Sequence, residues 1–252
     1  MEDEIAKSAI LGVIQGITEF IPISSSGHLA LFKKILNKNI ENPLGFDISL
    51  HIGTTFSVLL VLWKDIKESL KQKEIISGVI IAFICTVPVA LFFEGFAESV
   101  EENLIYLAIS FFVGGNILMV LPKIRYSMGF YKFFFIGIMQ GVSVVPGISR
   151  SGTTISASIF SGMNPAEAFV FSFILSIPTI ISAIAYESFK IIMKRESFGI
   201  GFSEVVFGVI SAFLFGCISL LILRRITFSG KLWVFGLYKL AISVFTLVYS
   251  MY

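Results

Sequence analysis

The stretch Pro146-Gly147-Ile148-Ser149-Arg150-Ser151-Gly152-Thr153-Thr154 concentrates groups that bind an oxyanion. Arg150 is the only charge in an apolar run from about Phe133 to Met163. At membrane depth a lone arginine costs about 2.5–3.5 kcal/mol on insertion scales, so it points at a cavity, a partner or a ligand. Gly147 and Gly152 allow close backbone approach, and Ser149, Ser151, Thr153 and Thr154 add hydroxyls. Proline and glycine stop the helix that enters from Tyr131. Ser151 is placed to cap the next one, which runs toward Met163 with its free N–H groups facing the loop. Guanidinium, hydroxyls and a helix N-terminus together suit a phosphate. The plain alternative is a helix kink whose arginine pairs with an internal carboxylate.

The same pattern occurs once more in the chain. Gly12, Gln15, Gly16, Ile23, Ser24, Ser26 and Gly27 match Gly137, Gln140, Gly141, Ile148, Ser149, Ser151 and Gly152 at a constant offset of 125, without a gap. The copies differ where chemistry would be done. Glu19 and His28 stand against Val144 and Thr153, and Arg150 stands against Ser25. Gln15 and Glu19 are four apart, hence on one face of a helix that Pro22 ends. Ser26 is read as the cap of the following helix, with His28 in its first turn. If the loops meet, the site holds a carboxylate, an imidazole, several hydroxyls and one guanidinium. Each group also has a structural reading: Glu19 as counter-ion of Arg150, His28 as a packing residue, and the serines bonded back to their own helices.

The elements that must position these groups follow from composition and run length. Of 252 residues, 56% are hydrophobic and 14% charged, which marks an all-α polytopic membrane protein. Six apolar segments, about 46–63, 75–93, 103–121, 166–186, 203–223 and 231–251, are long enough to cross a bilayer core of about 30 Å. The two motif-bearing runs are interrupted instead. Each half, such as Lys7 to Glu19, reaches only about 18 Å, so each run reads as a re-entrant helical hairpin. The alternative, two full spans per run, leaves each span too short. A hairpin leaves on the side it entered, and three spans separate the two. The second copy is therefore inverted, and the polar loops approach the midplane from opposite faces. The expectation is one membrane domain, 1–252, with internal repeats of about 1–125 and 126–252: six transmembrane helices plus two re-entrant hairpins in an inverted-topology repeat.

Several classes are excluded. Cys85 and Cys217 lie in apolar spans and imply neither a disulfide framework nor a thiolate metal site. The acidic start, Met1-Glu2-Asp3-Glu4, without a small-residue cleavage site predicts no signal peptide. No basic patch with interleaved aromatics points to nucleic acid. The loops around 64–73, 123–132 and 224–231 carry more lysine and arginine than those around 33–38 and 190–195. The acidic loop with Glu94, Glu98, Glu101 and Glu102 lies on the less basic side, so that side and both termini are placed outside. Asp47 and His51, one helical turn apart, read as interfacial or packing residues, with a supporting role behind the site as the alternative.

At the two loops the sequence resembles the undecaprenyl-diphosphate phosphatases, the bacitracin-resistance proteins. Gln15-Gly-Ile-Thr-Glu19 followed by Pro22-Ile-Ser-Ser-Ser-Gly-His28 is similar to that family's first signature, and Pro146-Gly-x-Ser-Arg-Ser-Gly-x-Thr154 to its second. The first motif position is Gln15 rather than glutamate. The resemblance implies hydrolysis of undecaprenyl diphosphate to the monophosphate in a bacterial plasma (inner) membrane. This recycles the carrier of peptidoglycan precursors, with the site open to the outer or periplasmic face and divalent cations (Mg²⁺ or Ca²⁺) supporting activity. It implies Glu19, Ser25, His28 and Arg150 as catalytic residues. Gln15, Ser24, Ser26, Gly27, Ser149, Ser151, Gly152, Thr153 and Thr154 become substrate-binding candidates. Partners are then the prenyl diphosphate lipid and the bilayer, with a homodimer admitted as the assembly.

On that reading Arg150, the serines and the helix N–H groups clamp the phosphates. Ser25 is the nucleophile candidate with His28 as its proton partner, and Glu19 orients them or holds a cation. His28 as nucleophile, or a water activated at Glu19, are alternatives that the sequence leaves open. The competing class is a secondary transporter or flippase for an anionic lipid, which suits inverted repeats and an intramembrane Lys239 equally well. It requires the clamp but no acid–base pair.

Overall fold

The computed structural model describes residues 2–36, 43–194 and 201–251, and the described residues form helices joined by turns and short irregular segments, without a strand. In chain order the helices are α1 (Glu2–Phe20), α2 (Ser25–Ile35), α3 (Pro43–Val61), α4 (Trp63–Ser69), α5 (Lys73–Glu102) and α6 (Leu104–Val120). After two short 3-10 turns come α7 (Lys132–Val142), α8 (Arg150–Phe160), α9 (Pro165–Lys194), α10 (Phe202–Phe228) and α11 (Trp233–Tyr249). All six apolar segments expected to span are helices. Among the described residues four, in α5, α6, α9 and α10, are long and apolar enough to cross a membrane. A fifth, α3 with α4, is bent by 72° at Leu62, and α11 has 17 residues. Large apolar side chains such as Leu60, Ile84 and Phe92 are exposed, as a lipid-facing surface requires.

Three boundaries differ from expectation, each for a local reason. α1 starts at Glu2 rather than near Lys7, because Lys7 pairs with Asp3 at 2.7 Å and Glu4 at 3.1 Å along the helix surface. Its 19 residues reach about 28 Å, longer than the half-span expected. The acidic stretch 94–102 is not a loop but the end of α5. No glycine–proline break interrupts it, and Lys190 of α9 holds Glu94 at 2.9 Å and Glu98 at 3.6 Å. Asn103 then stops α5 and caps α6 by accepting from the Ile105 and Tyr106 amides. The half-helices α2 and α8 begin two residues earlier than Ser26 and Ser151 would place them. Ser24 and Ser149 are the caps, accepting from the Gly27 and Gly152 amides.

The matched glycines do the same job in both halves. α1 packs on α10 and α7 on α5. A Cβ at Gly16 would lie 2.6 Å from the Ala212 carbonyl oxygen, and one at Gly141 would lie 2.9 Å from that of Thr86. Gly12 and Gly137, one turn earlier, lie against the Gly208 and Ala82 carbonyls. Small residues four apart let the backbones touch, the usual way helices associate in lipid. Each broken run is therefore clamped to a long helix from the other half of the chain.

Candidate active site

Between the half-helices the chain makes two tight turns, and these turns meet. Ser24 sits at φ 78, a left-handed conformation costly for a residue with a Cβ, and Gly147 sits at φ 93. The strain is held by contacts between the turns. Ser24 Oγ accepts from the Gly147 amide at 2.8 Å, and Ser151 Oγ donates to the Phe20 carbonyl at 2.9 Å. Gly27 lies so close that a Cβ there would meet the Gly147 nitrogen at 2.9 Å. Two segments 125 residues apart in sequence thus form one loop pair.

Because the caps are Ser24 and Ser149, the first helical residues are Ser25 and Arg150, one of the pairs at which the two copies differ. Both reach the same carboxylate. Ser25 Oγ donates to Glu19 Oε2 at 2.6 Å, and Arg150 Nη2 donates to Glu19 Oε1 at 2.5 Å. Gln15 Nε2 donates to Glu19 Oε2 at 3.1 Å from one turn earlier on α1. Glu19 is 7% exposed, so its charge depends on these partners; breaking such a buried pair costs about 3–5 kcal/mol. Two polar atoms remain without a hydrogen-bond partner: Arg150 Nη1 and Gln15 Oε1. Buried donors and acceptors left open in this way are expensive unless a ligand completes them.

Glu19, Ser25 and Arg150 line a cavity of about 470 Å³, with Gln15 buried behind them. Glu19, Ser24, Ser25, Ser26, Ser149 and Arg150 form one end. Phe83, Val87, Leu91 and Ile180 supply an apolar wall, and Glu94, Tyr186 and Glu187 lie farther along α5 and α9. Tyr186 donates to Glu94 at 3.1 Å.

Not every expected residue reaches the cavity. His28 does not approach Ser25. Its Nδ1 lies 2.8 Å from the Ser24 carbonyl oxygen, its Nε2 lies 2.9 Å from Tyr238 Oη, and the ring stacks on Tyr238 with Phe111 edge-on. Three residues after Ser25 on α2, its side chain is taken by the Ser24 carbonyl and by Tyr238 of α11 rather than by Glu19. Gly27, Ser151, Gly152, Thr153 and Thr154 are buried behind the lining and hold the turns together. Thr154 bonds back to the Arg150 carbonyl and across to Ser172. Lys239 is 1% exposed on α11, against Gly114, and lies outside the lining. Asp47 is held by Lys33 at 2.6 Å and also stays out.

The cavity contains groups that the motifs did not announce. His51 of α3 lines it, with Nδ1 3.1 Å from Gln15 Nε2 and 3.7 Å from Glu19 Oε2. Gln140, Thr86 and Thr179 form a second polar patch, with Gln140 Nε2 donating at 3.1 and 2.8 Å. Gln140 was legible as the repeat partner of Gln15. The threonines were not, since each also bonds back to its own helix as hydroxyls in apolar helices commonly do.

The donor set at Glu19 suits a hard divalent cation: a carboxylate, the open amide oxygen of Gln15, and room in the cavity for phosphate oxygens. Among the described residues no cluster of three or more histidine, cysteine, aspartate or glutamate side chains is present, so such a cation needs the substrate's oxygens as well.

Of the four residues that the resemblance implied, Glu19, Ser25 and Arg150 meet at the cavity and His28 does not. The sequence pattern described as bacitracin resistance protein BacA matches residues 8–245. The chain belongs to the BacA family. Its curated relatives cover nearly the whole length. An undecaprenyl-diphosphatase of Methanococcus maripaludis strain C7 is 35% identical over 254 residues, 95% of this chain and 98% of that one. One from Thermosipho africanus is 36% identical over 248 residues, 93% and 96%. One from Desulforapulum autotrophicum is 34% identical over 278 residues, 97% and 98%. Within the BacA family frame, both signature segments of this chain fall on the two turns that meet at Glu19.

Proposed function

We propose that this protein is an integral membrane phosphatase that hydrolyses undecaprenyl diphosphate to undecaprenyl phosphate and inorganic phosphate. It thereby recycles the lipid carrier for peptidoglycan synthesis and gives bacitracin resistance. The names of its relatives support the substrate. The observation that carries the chemistry is the Ser25–Glu19 hydrogen bond at 2.6 Å beside the open Nη1 of Arg150. A transporter for an anionic lipid needs the clamp, but it has no use for a hydroxyl held on a carboxylate.

Each residue then has a task. Arg150 Nη1, the Ser149 hydroxyl and the N–H groups that open α2 and α8 bind the terminal phosphate. Ser25 Oγ attacks the terminal phosphorus, and its proton passes to Glu19 Oε2. The Oγ–P bond forms as the bond from that phosphorus to the bridging oxygen breaks, and undecaprenyl phosphate leaves with the electron pair. Water then attacks the phosphoserine, keeping one hydrogen on the new P–OH and losing the other to solvent. The proton on Glu19 returns to Ser25 Oγ as the ester breaks. Glu19 and Gln15 would hold a divalent cation, Mg²⁺ or Ca²⁺, which supplies charge neutralisation for the diphosphate. The apolar wall on α5 accommodates the first part of the prenyl chain.

The reading extends to topology: six spans and two re-entrant hairpins in an inverted repeat, in a bacterial plasma membrane with the site and both termini outside. The matched glycine contacts of α1 on α10 and α7 on α5 support the repeat. The deciding experiment is phosphate release by the purified protein from a long-chain prenyl diphosphate in detergent, with Ser25→Ala as control. No release above that control overturns the reading.

A further inference from the structure

His51 lines the cavity beside Glu19 but has no task in the reaction above. Resting on the phosphatase reading, we propose that His51 contacts the substrate directly, its Nε2–H donating to an oxygen of the diphosphate. The argument runs through Gln15. Its amide nitrogen lies 3.1 Å from Glu19 Oε2 and 3.1 Å from His51 Nδ1. An amide nitrogen carries two hydrogens and accepts none. One hydrogen goes to Glu19, so the other goes to His51 Nδ1, which must be the acceptor. The ring hydrogen is therefore on Nε2, the tautomer being set by the partner of the other nitrogen.

That Nε2–H has no hydrogen-bond partner among the described residues. The ring is 32% exposed and faces the cavity that Ser25 and Arg150 line. The charged groups nearest it are Glu19 and Arg150, which are paired with each other; Asp47, one turn earlier on α3, is taken by Lys33. His28 offers nothing comparable, since Ser24 and Tyr238 engage both its nitrogens. His51 also fits the way the two halves diverge. At the offset of 125 its counterpart is Ser176, whose hydroxyl turns back to the Phe173 carbonyl at 2.7 Å. The first half supplies Glu19, Ser25 and His51, and the second supplies Arg150.

The chain has two histidines, so the test is spectroscopic first. In ¹⁵N-histidine-labelled protein in detergent, with His28→Phe used for assignment, His51 should show an accepting Nδ1 and a protonated Nε2. Adding inorganic pyrophosphate should move the His51 Nε2 signal and leave both His28 nitrogens in place. In turnover of undecaprenyl diphosphate, His51→Gln, which keeps an N–H donor, should stay within about 10-fold of the parent kcat/KM. His51→Phe should lose about 100-fold, as when one transition-state donor is removed. A pyrophosphate titration that leaves His51 unmoved overturns the proposal, as does a folded His51→Phe protein with parental kcat/KM. If the Phe variant does not fold, the labelled parent decides. If the parent releases no phosphate yet pyrophosphate moves His51, the anion contact stands and the phosphatase reading falls. Release without any His51 response does the reverse.

Discussion

Ser25 and Arg150 occupy the same first position of two matched half-helices, and both donate to Glu19, at 2.6 and 2.5 Å. At this position the duplicated motif has diverged so that one copy offers a hydroxyl and the other a guanidinium to a shared carboxylate. The expected outcomes below follow from that convergence.

Ser25→Ala and Glu19→Gln should each lower kcat for phosphate release by at least about 10³-fold. The double variant should lose no more than about 10-fold beyond the worse single, because groups acting as a unit are not additive. Glu19→Gln also leaves Arg150 without its partner, so its melting temperature should fall while that of Ser25→Ala should not. Independent, multiplicative losses would separate the two residues.

Arg150→Lys should be nearly as damaging as Arg150→Ala, each costing at least about 10²-fold in kcat/KM. A guanidinium can hold Glu19 with one nitrogen and phosphate with another, and an ammonium is a single point. Steady-state kinetics on both variants checks this. A lysine variant with near-parental turnover would leave Arg150 as a counter-ion only.

His28→Phe should lower stability by about 1–3 kcal/mol, since the Tyr238 hydroxyl and the Ser24 carbonyl lose a buried partner. Its kcat per folded molecule should stay within about 10-fold of the parent. Thermal unfolding and turnover on the same preparation tell the two apart. A 10³-fold loss of turnover at unchanged melting temperature would return His28 to the chemistry.

Chelation with EDTA should depress phosphate release, and added Mg²⁺ or Ca²⁺ should restore it. Glu19→Gln should show no recovery at any cation concentration. Parental activity that is indifferent to EDTA after extensive dialysis removes the cation from the proposed site.

Single cysteines placed in 94–102 should react with an impermeant thiol reagent from outside the cell, and those in 66–73 should not. Labelling of both sets from one side would overturn the three-span count between the hairpins.

Sequence alone determined the helical membrane class, the two loops and the residue types gathered in them. Those features are local or periodic. An isolated arginine in an apolar run, Pro-Gly breaks and a constant 125-residue offset can be read without knowing what touches what. That the loops could meet was an expectation from a count of spans, and the contact itself is seen only in the structure. Only the tertiary structure decided which side chains face which. Moving each helix start back two residues, to caps at Ser24 and Ser149, rotates the first turn so that Ser25 and Arg150 face the carboxylate. His28, three residues later, is engaged by Tyr238 of α11 instead, a contact that no motif announces. His51 looked like a packing residue because its partner, Gln15, lies 36 positions away on another helix. Side-chain direction on a helix changes by about 100° per residue, so a small error in register redirects a residue that the motif had placed correctly along the chain.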